Sequence, residues 1–109
     1  RVGRSVGEIF DEAVSLYAEL GYPDEWRLHH QGGPTGYAGR DYFGRPGETR
    51  TVQPDQAFAW NPSITGTKSE DTILATAQGI EVLTAAKDWP MVQARRHGAM
   101  LERPDILTL

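Results

Sequence analysis

Cysteine is absent from the 109 residues, which removes disulfides, thiolate zinc sites and a cysteine nucleophile together. Any metal would therefore be held by nitrogen and oxygen, and a reducing, cytoplasmic setting is the expected one. Long apolar runs are also missing. Nothing approaches the roughly 20 residues of a membrane span, and the N-terminus lacks the charged-then-apolar pattern of a signal segment, so no membrane partner is expected. Basic residues are too few and too scattered to track a phosphate backbone. Lys and Arg total 11 against 15 Asp and Glu, the net charge is -4, and no basic block exceeds Arg95-Arg96, so nucleic acid is not expected either. Internal repeats and low-complexity tracts are lacking as well.

What is present suffices for one core: 39% of the residues are hydrophobic, too little chain for two ordinary domains. The chain starts at Arg1 without a methionine, and its first element begins almost at once, as expected of a piece of something longer. Ser5 followed three residues later by Glu8 is a capping-box signature. Val6, Ile9, Phe10, Ala13, Val14, Tyr17 and Leu20 then recur at helical spacing. A helix over residues 6–20 follows, ended by Gly21 and Pro23, with its apolar stripe laid on a sheet.

Beyond a turn at Tyr22, the chain reads as extended over residues 26–30. Residues 38–53 mix glycines, prolines and charges without a periodic core face, which is loop chemistry. From 56 to 64, Ala57, Ala59 and Asn61 alternate with Phe58, Trp60 and Pro62, as in a strand whose ladder Pro62 ends. The large residues should pack beneath the helix, leaving Asn61 on the small-residue face. Residues 70–76 and 80–84 read as two strands of a hairpin joined through Ala77-Gln78-Gly79. In the tail, Arg95-Arg96-His97-Gly98 reads as a turn between two extended arms, the alternative being a short helix starting at Pro90.

The chemistry concentrates in Leu28-His29-His30-Gln31-Gly32-Gly33-Pro34-Thr35-Gly36-Tyr37. Two of the three histidines run directly into a glycine-rich stretch. Imidazole ligates metals or shuttles protons near neutral pH, and a glycine turn lets the backbone pass close to whatever the ring holds. The alternative is an extended segment in which one ring is hydrogen-bonded in the core and the other meets water. Trp26, Tyr42, Phe58 and Trp60 read as core aromatics.

Three pieces in order, His29-His30-Gln31-Gly32-Gly33, then Trp60-Asn61-Pro62, then Gly66-Thr67-Lys68-Ser69-Glu70-Asp71-Thr72 with Gly79-Ile80-Glu81-Val82-Leu83-Thr84, resemble a known pattern. They are similar to the C-terminal half of the pita-bread domain of prolidase, Xaa-Pro aminopeptidase, methionine aminopeptidase and creatinase. In that family a Gly-His-x-x-Gly segment, a Glu-Pro and a Glu-Asp-Thr strand supply metal ligands. The resemblance covers about residues 3–84 and implies an α+β fold: one long helix packed on a curved antiparallel sheet, half of a pita-bread domain.

By that resemblance His30 and Glu70 match metal ligands, and Asn61 stands where a ligating glutamate is expected. Tyr37 takes the place, seven residues after His30, of the family's substrate-contacting histidine. Gly39-Arg40-Asp41 is nearer to the Gly-Arg-Glu of creatinase than to the His-Glu of the aminopeptidases, and Arg40 is a candidate clamp for a substrate carboxylate. The implied activity is hydrolysis of a peptide, by water activated on a pair of divalent cations (manganese, cobalt or zinc). The two aspartates that complete such a site would come from a preceding segment. Asn61 lacks the charge to neutralise a cation. The alternative is a metal-free member: a hydrolase of a small amide using His29 or His30 as acid and base, or a non-catalytic binding module. A homodimer is a further expectation from the family.

Overall fold

The computed structural model describes residues 1–96 and 98–109. Among them the elements run α1 (Val6–Glu19), a 3-10 turn (Glu25–Arg27), β1 (Gly32–Thr35), β2 (Gln56–Trp60), β3 (Ser63–Ile64), β4 (Thr67–Lys68), β5 (Asp71–Thr76), β6 (Gly79–Val82), β7 (Met91–Arg96) and β8 (Ala99–Pro104). The fold is α+β, and every strand pair is antiparallel. A four-stranded sheet in the order β1-β2-β5-β6 carries the core, with two separate two-stranded ribbons, β3-β4 and β7-β8. Among the described residues no helix is long and apolar enough to cross a membrane.

Helix α1 is fastened at both ends. Ser5 Oγ accepts from the Glu8 N–H and donates to the Glu48 carbonyl at 2.8 Å. The first free N–H groups of the helix, at Val6 and Gly7, donate to the carbonyls of Arg50 and Glu48 at 2.9 and 3.0 Å. At the other end, Gly21 (φ 89°) donates to Ala18 and Tyr22 donates to Tyr17, a Schellman closure that requires a left-handed residue just past the helix. Val6, Phe10 and Tyr17 are buried. Leu20 is not: it caps the helix beyond its last turn and points to solvent.

The core is Val6, Val52, Phe58 and Ala75, with Ile9, Tyr42, Trp60 and Ile73 packed against it. Phe58 and Trp60 stack 5.8 Å apart on the helix side of β2. The loop of residues 38–53 contributes more than its composition suggests. Val52 is core, and the buried Glu48 carboxylate is gripped by Arg50 through Nε at 2.8 Å and Nη2 at 2.7 Å. Those hydrogen bonds hold the Glu48 carboxyl down to about 2.

Two expectations are corrected. Residues 26–30 are a 3-10 turn and bends in place of a strand. The Gln31 side chain supplies the reason, donating to the carbonyls of Trp26 and His29 at 3.1 and 3.0 Å. With those acceptors answered locally, the segment needs no ladder. Trp26 still serves as a core aromatic, edge-on to Phe10 at 5.5 Å. The glycine stretch after the histidines is the edge strand β1, paired to β2 with Gly32 opposite Trp60. The strand expected over 56–64 divides at Asn61-Pro62 into β2 and β3. Tail and hairpin expectations hold: β5 pairs β6, and β7 pairs β8 as two extended arms, with His97 outside the described residues.

Candidate functional site

Arg40 and Glu70 come from separate loops and pair with each other, and both charges reach the His30 ring. Arg40 Nη2 lies 3.2 Å from Glu70 Oε1, and Lys68 Nζ lies 2.8 Å from Glu70 Oε2. Arg40 is also held by the Gly39 carbonyl, which its Nη1 meets at 2.7 Å. The His30 ring lies 4.4 Å from the Phe43 ring and 5.9 Å from that of His29. Partial desolvation lowers the His30 pKa first, followed by the positive charge of Arg40 and contributions from His29 and Lys68, with Glu70 opposing. Glu70 is lowered by its hydrogen bond to Lys68 and then by Arg40, against the opposing effect of burial. The cluster thus sets an exposed imidazole, its neutral form favoured, near a carboxylate shared by two cations.

Asn61 sits just beyond β2, at the end where Gly32 pairs with Trp60. It is buried, at 6% exposed. Its backbone N–H donates to the Gln31 carbonyl at 3.0 Å, and Nδ2 donates to the His30 carbonyl at 3.4 Å. Oδ1 is buried without a hydrogen-bond partner among the described residues. A Cβ on Gly32 would come 2.8 Å from that oxygen and 2.0 Å from the Ala59 carbonyl. Gly32 (φ 104°) is therefore needed both for its backbone angle and for the close approach of the two strands.

Of the other two candidates, Tyr37 lies apart from this cluster and His29 borders it. Tyr37 is fully exposed in the bend of residues 36–39, joined to none of the cluster by hydrogen bond or ring contact among the described residues. His29 is half-buried, its Nδ1 on the His30 carbonyl and its Nε2 on the Ser63 hydroxyl.

Three cluster neighbours were not singled out from the sequence: Lys68, Phe43 and Ser63. Lys68 had a local signal, since an extended chain puts residues two apart on one side and Glu70 is two residues on. Phe43 and Ser63 had none, because their partners lie 13 and 34 residues away.

The donors for a metal pair are not gathered here. Among the described residues no group of three His, Cys, Asp or Glu side chains converges as a metal site. Glu70 would have to release at least one cation to ligate another, and Asn61 offers a neutral oxygen. Protein-family models, curated proteins and solved structures were all compared with this chain, and none matches.

Proposed function

We propose that this chain is the C-terminal half of a pita-bread hydrolase domain acting on a peptide or small amide. In this reading His30 is the acid-base group, and Arg40 with Lys68 binds an anionic end of the substrate. The observation that carries it is the Arg40–Glu70–Lys68 charge cluster within electrostatic reach of His30, with Glu70 engaged by two cations. A carboxylate so engaged sets a local field and orients Arg40, which suits a metal-independent site. Lack of cysteine supports a cytoplasmic setting, and a homodimer fits the same family reading.

The metal-dependent Xaa-Pro peptidase reading draws on a different observation, the buried Asn61 Oδ1 with no partner among the described residues. In it His30, Asn61 and Glu70 would face divalent cations completed by aspartates from another segment. The two readings separate on metal content and on manganese or cobalt affinity of the longest natural form of the protein. No tightly held metal, together with amide hydrolysis that persists in chelator and is lost in His30→Ala, is the expected result. Two tight equivalents, lost in both His30→Ala and Glu70→Ala, would overturn it in favour of the metallopeptidase.

A further inference from the structure

His29 and Ser63 are 34 residues apart, and the fold brings Nε2 of the one onto Oγ of the other. The opposite ring nitrogen of His29, Nδ1, meets the His30 carbonyl. A carbonyl oxygen only accepts, so Nδ1 carries the ring proton and Nε2 presents its lone pair. The Ser63 hydroxyl then donates to Nε2. This is the order of nucleophile, base and orienting acceptor that activates a serine.

Ser63 is itself held in place. Its backbone N–H donates to Tyr17 Oη at 2.7 Å, and its carbonyl lies 2.9 Å from the same oxygen. Tyr17, 8% exposed, is fixed in turn by the Gln31 Oε1 at 2.8 Å. In the β3-β4 ribbon Ser63 pairs directly with Lys68, and directly opposed residues present their side chains on one face. Lys68, whose ammonium pairs with Glu70, therefore shares the ribbon face of the Ser63 hydroxyl.

Ser63 also lines a groove of about 650 Å³ whose apolar walls include Leu16, Leu20, Ile64, Trp89 and Ile106. Mostly apolar lining with a few polar groups at one wall is the form of a small-molecule site.

We propose that Ser63 is a nucleophile, with His29 as its base, for carboxylic esters whose apolar acyl chain lies in this groove. The groove reaches Lys68 and Glu70 of the neighbouring cluster, but the chemistry assigned to Ser63 and His29 does not depend on the pita-bread reading. Ser63 Oγ bonds to the ester carbonyl carbon as its proton passes to His29 Nε2. The carbon–oxygen bond to the alcohol then breaks, and the alcohol departs with that proton. Water adds to the acyl carbon, again through Nε2, releasing the carboxylic acid and restoring the serine hydroxyl.

The test exposes the chain to an alkyl fluorophosphonate and, separately, to p-nitrophenyl acetate, butyrate and octanoate. Covalent label mapped to Ser63, with faster turnover of the longer acyl esters, is expected. Ser63→Ala should abolish the label, and His29→Gln should slow ester turnover about 100-fold or more, the usual scale of a general base. Leu16→Trp, on the groove wall, should depress octanoate turnover more than acetate turnover. Labelling at another residue, no labelling, or a label unchanged in a folded His29→Gln protein would overturn the proposal.

Discussion

At the scale of single residues, charge decides what His30 does. Arg40, Lys68 and partial desolvation all favour its neutral form, and only Glu70 opposes them. Its imidazole should therefore titrate below 6.5 by NMR, and Arg40→Gln should move the midpoint up, with Glu70 then less fully answered. An unchanged midpoint in Arg40→Gln would show that the two side chains do not share a field. The same shift has a stability consequence. Because the folded pKa lies below the unfolded one, the unfolded chain binds more protons just under 6.5, so this group's contribution is full above 6.5 and is lost as pH falls through that window. Resemblance to the family marked His30 and Glu70, and Arg40 was marked as a guanidinium suited to a carboxylate. Ser63 and Phe43 carried no such mark, because a serine or an exposed phenylalanine gains meaning only from the group placed against it.

Elements were legible where local chemistry and packing agree. Ser5 and Gly21 bracket α1 because capping is settled within four residues of each end. The strand over β2 was legible because its large residues have one place to go: Phe58 enters the core, with Trp60 packed against it. Phe58→Ala should cost about 3–5 kcal/mol, read as a lower urea midpoint with little change in slope. A loss near zero would mean that the helix does not bear on this strand. The segment 26–30 was not legible. Its composition suits an extended chain, but one glutamine side chain, Gln31, answers two of its carbonyls and so fixes a turn. Val52 and the buried Glu48 were hidden for a similar reason: their burial comes from the N-terminus of a helix more than 40 residues earlier, with no local periodicity to announce it.

At the scale of the whole molecule, the β7-β8 ribbon is the part least supported by a core. Nearly all its residues are exposed, and a two-stranded ribbon by itself is marginal in water. It is tied back by Arg103, whose guanidinium donates to Ser69 Oγ at 2.7 Å and approaches the buried Asp71 carboxylate at 2.5 Å. Arg96 adds a weaker tie to Glu19 at 3.4 Å. Asp71 is otherwise answered by Thr84 Oγ1 at 2.6 Å. Arg103→Ala leaves that carboxylate without its cation and should destabilise the fold by about 3 kcal/mol. Hydrogen exchange across residues 91–104 should rise in this variant well before β2 and β5 respond. Equal acceleration everywhere would show that the ribbon is part of the cooperative core.

The sequence by itself determined the capped helix, the β5-β6 hairpin and the residue types able to do chemistry, because these rest on periodicity, caps and turns within a few positions; the α+β class was expected from the family resemblance. Only the tertiary structure decided that Glu70 is shared between Arg40 and Lys68, that Tyr37 stands outside the cluster, and that His29 faces Ser63. Those outcomes depend on contacts 30 or more residues apart or on full solvent exposure, and the chain sets them only when the sheet closes and brings its loops to one edge.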